Sequence, residues 1–79
     1  MAKELEITVE PRVVAELTGR IATIRGEGKG KQYVATLYRA GWALQQRPIG
    51  AEEWTKMRAF EDLPKRFQKT ALSVKQFAI

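Results

Sequence analysis

Residues 4–10 alternate strictly, with Leu5, Ile7 and Val9 on one side and Glu4, Glu6, Thr8 and Glu10 on the other. A period of two predicts a half-buried strand. Pro11 stops the ladder and suits the first turn of a helix, so residues 11–18 read as a short helix that Gly19 ends in a left-handed conformation. Beyond Gly19 the pattern turns to β-prone residues. Residues 20–25 and 31–39 flank a glycine-rich loop at 26–31, and a third run, 42–47, follows Ala40-Gly41. These runs predict an antiparallel meander with a hairpin tip at 26–31. Ile21 and Ile24 would point to opposite faces of a regular strand, so the first run needs a bulge. In the second, Tyr33, Ala35 and Leu37 share one face and Val34, Thr36 and Tyr38 the other. In the third, Trp42 and Leu44 oppose Ala43, Gln45 and Arg47, and Pro48 ends the strand.

Helix signals follow. Gly50 reads as an N-cap, Glu52 and Glu53 suit the positive end of a helix dipole, and Ile49 and Trp54 are spaced as a hydrophobic staple. A helix over 51–61 is predicted, with Trp54, Met57 and Phe60 as its apolar contacts; truncating a buried Trp54 would then remove roughly 3–5 kcal/mol. Asp62 reads as the N-cap of a second helix with Pro64 in its first turn. Leu63, Phe67, Ala71 and Val74 recur at helical spacing, leaving Lys65, Lys69 and Gln76 on the other side. The tail 72–79 fits either a continuation of this helix or a returning edge strand. The fold class is therefore α+β: a small antiparallel meander with a C-terminal helical segment, one domain over 1–79.

A mostly α alternative arises if the first helix runs on to Arg25, because Val13, Val14, Leu17, Ile21 and Ile24 fall within an arc of about 100° at 3.6 residues per turn. Leu5 to Val9 as a ribbon, Pro11-Arg12 at a helix start, Val14, Leu17, Ile21 and Ala22 along the helix, Gly26, then Tyr33, Val34 and Leu37 in a second helix resemble the ribbon-helix-helix repressors. The resemblance covers about half the chain and implies DNA binding through the ribbon. Here that face would carry Glu4, Glu6 and Glu10, which phosphates repel. Gly19 also opposes the long helix, since an interior glycine costs roughly 1 kcal/mol.

Composition narrows the chemistry. The 79 residues include no cysteine and no histidine, which removes the usual zinc ligands, disulfides and histidine-based triads and points away from an enzyme and from a cofactor. Ser73 has no histidine to activate it. No apolar run approaches the roughly 18 residues of a membrane span, so a soluble, cytoplasmic protein is expected, with no membrane partner. A domain of this size holds only about 3–5 kcal/mol of stability, and a second copy of the chain is one way to add to it.

The net charge of +5 is uneven: residues 1–18 sum to −2, 19–50 to +5, 51–62 to −2 and 63–79 to +4. Six of the fourteen basic residues lie in 19–47, against one acid. The loop at 26–31 is not a Walker loop, because Arg25 stands where glycine is needed and Gln32 where Ser or Thr is needed, and Lys31 takes the place of the last glycine of a dinucleotide fingerprint. What remains is a basic hairpin with rings nearby. Arg20, Arg25, Lys29, Lys31, Arg39 and Arg47 are the candidate contacts for a polyanion, and Tyr38 is the ring most open to stacking, while Trp42 reads as core. The function expected is nucleic-acid binding, to DNA or RNA, through this hairpin and its neighbours. The alternative is a protein-interaction module or phage-type inhibitor that docks on an acidic surface of a larger nucleic-acid-handling complex.

Overall fold

A computed structural model describes residues 5–78. Five strands, β1 (Glu6–Val9), β2 (Arg20–Gly28), β3 (Lys31–Tyr38), β4 (Gly41–Pro48) and β5 (Thr55–Met57), form one antiparallel sheet in sequence order. A short helix α1 (Arg12–Thr18) joins β1 to β2, and a 3-10 turn (Phe60–Asp62) leads into α2 (Lys65–Ala78). The α+β class read from the sequence holds, and the tail is helical through Ala78. Glu4 and Ile79, which the sequence places in the first strand and the tail, lie outside the described residues.

The long-helix, ribbon-helix-helix-like alternative fails at Gly19. Its φ of 75° ends α1, with its amide bonded to the Ala15 carbonyl at 2.9 Å. Residues 20–28 then pair on both sides: Ile7 lies opposite Ile24, and Ile24 opposite Ala35. Two ladders outweigh the modest helical propensity of Ile and Thr. The register slips by one between Arg20 and Ala22, which makes Ile21 a bulge. That slip puts Ala22 and Ile24 fully inside while Ile21 still packs against the core margin.

The core is one layer between a sheet face and a helix. Ala22, Ile24, Tyr33, Ala35, Leu37 and Leu44 meet Leu63, Phe67, Ala71 and Val74, the four positions whose spacing marked the helix. Phe67 sits at the middle, edge-on to Tyr33 with ring centroids 6.1 Å apart. Gly26 makes that position possible: a Cβ there would collide with the Leu5 side chain and stand 3.0 Å from the Phe67 ring. Gly26 and Gly28 therefore belong to β2, and the expected six-residue loop shrinks to the pair Lys29-Gly30. The φ values of 56° and 74° at this pair are those a primed two-residue hairpin turn requires.

The helix expected over 51–61 does not form. Residues 51–54 have no regular secondary structure, and Thr55–Met57 pairs with Gln46, Gln45 and Leu44 at the edge of β4. The Ala51 amide closes a turn on the Pro48 carbonyl at 3.0 Å, so the chain reverses at Ile49-Gly50 where a helix was to begin. A helix here would bury little beyond Met57 and Phe60, whereas β5 satisfies the outer edge of β4 and keeps both residues on the core. The staple is absent, with Ile49 55% and Trp54 37% exposed. Asp62 ends the 3-10 turn and caps nothing; the Pro64 carbonyl accepts the Gln68 amide at 3.0 Å, and the Gln68 side chain donates to the Leu63 and Glu61 carbonyls at 2.7 and 2.9 Å.

Phe67→Ala is expected to cost about 3–5 kcal/mol, comparable to all the stability a domain this small holds, so urea unfolding of this variant should lose its cooperative transition. Trp54→Ala, half outside the core, should cost at most ~1 kcal/mol, which a shift of the same urea midpoint measures.

Candidate binding face

Strand alternation gives the sheet a second face, and no element among the described residues covers it. In phase across the strands stand Glu6, Arg25, Val34, Gln45 and Lys56 in one row and Thr8, Thr23, Thr36 and Ala43 in the next. A third row holds Glu27, Gln32 and Arg47. None of these residues is buried. The sheet thus packs against α2 on one side and is open to solvent on the other.

One end of the open face is ordered by a cross-strand polar chain. Arg47 Nε donates to Gln32 Oε1 at 2.7 Å, and Gln32 Nε2 donates to Glu27 Oε2 at 3.2 Å. A second Arg47 nitrogen donates to the Glu52 carbonyl at 3.3 Å, and the guanidinium carbon lies 4.3 Å above the centre of the Trp54 ring. Arg47 is held flat on an aromatic plane, an arrangement that a planar guanidinium permits and an ammonium does not. Beside it, Arg25 makes no hydrogen bond or ion pair among the described residues. A depression of about 560 Å³ opens here, with Arg25, Gln32, Val34, Gln45, Arg47 and Trp54 among its walls.

The seven residues picked from the sequence do not form one cluster. Arg25 and Arg47 share the open face near the Lys29-Gly30 turn. Lys29 is exposed at the turn itself. Lys31 is in phase with Tyr33 and so stands on the helix-bearing side, exposed at its margin. Tyr38 is on the open face and 37% exposed, but at the other end of β3. Seven residues separate it from Lys31, about 23 Å at 3.3 Å per residue. Arg39 lies in the turn beyond it, where its amide bonds to the Gly19 carbonyl at 2.9 Å. Arg20 is committed to Glu10, with Nε buried 3.5 Å from the Glu10 carboxylate and outside hydrogen-bond geometry.

Sequence reading missed Trp54, because it placed that residue on a helix, and passed over Gln32 and Lys56. Gln32 could have been found: it continues the Val34, Thr36, Tyr38 phase by one step. Trp54 could not, since three strand residues are too few for a period to register. No group of three or more acidic residues among the described ones could hold a metal ion, and no helix is long and apolar enough to cross a membrane. No family model, curated protein or solved structure matches the chain.

Lys29 adopts a positive φ that costs most side chains energy and suits asparagine. Lys29→Asn should therefore raise the thermal midpoint, by the equivalent of about 0.5 kcal/mol, while removing one charge from the hairpin. A lowered midpoint would mean that the lysine, and not the turn geometry, stabilises this end of the sheet.

Proposed function

We propose that the chain binds single-stranded nucleic acid along the open face of its sheet. The observation that supports this most is the combination, on one uncovered face, of a partner-free Arg25, an Arg47 stacked on Trp54, and an exposed Tyr38. Rings interleaved with cations suit unpaired bases, whose π-faces can stack while the backbone runs beside positive charge; a duplex hides those faces. Gln32, Gln45 and the threonine row add donors and acceptors for exposed base edges. In this reading Tyr38 and Trp54 are platforms at the two ends of the path. Arg25, Arg47 and Lys29 contact phosphates, and Lys31 and Arg39 extend the positive field past each turn. Arg20, held by Glu10, serves the fold more than the ligand. The path of about 23 Å suits a short site, on the order of four nucleotides, at the lower end of single-strand site sizes. The function is binding, without catalysis.

The test is fluorescence anisotropy with labelled oligothymidylates across a salt series. Arg25→Ala with Lys29→Ala should make the log-log salt slope shallower by about 1.4, two single-strand phosphate contacts at roughly 0.7 each. Tyr38→Ala should weaken binding by about 5- to 100-fold and leave that slope nearly unchanged. Lys65→Ala with Lys69→Ala, on the far side of the molecule, should change neither. Absence of binding at about 50 mM salt, where counterion release favours association most, would end this reading. The basic face would then be assigned to an acidic protein surface, the rival function.

A further inference from the structure

The helix-bearing side is not fully sealed. Six of the nine large apolar side chains left exposed belong to β1, α1 and the second half of α2. Three of them border one feature: Ile7 and Val9 on β1 and Phe77 on α2 line an apolar groove of about 470 Å³, floored by Val74, and Leu72 lines an adjoining depression that shares Lys69 and Ser73 with it. Its walls are far more apolar than those of the depression on the open face, and only Lys69, Thr70 and Ser73 bring polar atoms to it. β1 is also an edge strand, so one row of its backbone groups has no partner in the sheet.

We infer that this groove is the contact surface of a symmetric homodimer, in which α2 of one copy lies along β1 and α2 of the other. Area favours a second copy as the occupant. A twofold axis makes each contact occur twice. Ile7, Val9, Leu72 and Phe77 leave 47, 57, 56 and 94% of their surface exposed, on the order of 450 Å² of apolar surface per copy if a full aromatic side chain is about 200 Å² and an aliphatic one slightly less. Doubled, and taken as about 65% of a homodimer contact, this corresponds to a total near 1,400 Å², within the roughly 1,200–2,000 Å² of specific interfaces. The groove lies on the opposite side of the sheet from Arg25, Arg47 and Tyr38, so the dimer leaves that face uncovered, and the inference stands apart from the proposed ligand.

Sedimentation equilibrium at about 10–100 µM protein tests it. The wild type should approach twice the 9.0 kDa of one chain, with a dissociation constant at or below about 10 µM. Phe77→Glu alters a side chain that packs on nothing within one copy, so it should keep its circular dichroism spectrum and raise that constant at least 30-fold. Ile49→Glu, at an exposed apolar site away from the groove, should leave it unchanged. A wild type that is monomeric at about 100 µM would overturn the inference and give the groove to a different protein, and so would a dimer that survives Phe77→Glu.

Discussion

The packing of Phe67 into the trough at Gly26 is the contact on which the rest of the structure depends. A single helix supplies Phe67, Ala71 and Val74 to the core, and the Phe67 ring reaches the sheet only because Gly26 has no Cβ and because Ala22 and Ala35 keep the neighbouring surface low. Leu5 fills the space beside the same glycine, which ties the start of the described chain to the centre of the core. Arg66 adds a polar anchor, donating to the Glu27 carbonyl at 3.2 Å just beyond that trough. With one helix of fourteen residues, about 21 Å long, a sheet of five strands cannot be covered on both sides. The uncovered second face and the half-open groove at β1 are two consequences of the same shortage of helix.

Much of this was legible in the sequence, wherever the signal was periodic over seven or more residues. The alternation of 31–38 assigns Tyr33, Ala35 and Leu37 to the core and leaves Tyr38 outside, and the spacing of Phe67, Ala71 and Val74 marks the buried stripe of α2, with Leu63 buried just before the helix. Gly19 marked the end of α1, and the mismatch of Ile21 with Ile24 marked the bulge. The failures share a cause. Residues 50–54 carry dense local capping signals, but their structure is decided by β4, whose outer edge gains a partner in β5. Likewise the glycines at 26 and 28 read as loop residues because the groups that need their small size, Leu5, Pro64 and Phe67, are distant in sequence. Local signals predict well until a long-range contact outbids them.

The same distinction explains how the site was partly read and partly misplaced. Charge counts drew attention to the 26–31 segment, yet the tight turn reduces it to one lysine at a bend and one at a margin. What the fold brings together instead is Arg47, Gln32 and Trp54, from β4, β3 and the irregular segment before β5. An arginine held on a ring and hydrogen-bonded from two directions loses little further freedom when a ligand arrives, which favours affinity at a small site. Nearby Glu6 and Glu27 keep the face from being uniformly positive. Such mixed charge weakens non-specific attraction to any polyanion and leaves more of the discrimination to stacking and to hydrogen bonds with base edges.

The side of the sheet that meets the ligand decides the function of the open face. An amide NMR titration with a short oligothymidylate resolves the two sides residue by residue. Shift changes should concentrate at Arg25, Val34, Thr36, Tyr38, Gln45 and Arg47, together with the indole N–H of Trp54, and leave Lys65, Lys69 and Lys75 on α2 unmoved. Changes centred on α2, or none at saturating oligonucleotide, would contradict the assignment of function to the open face.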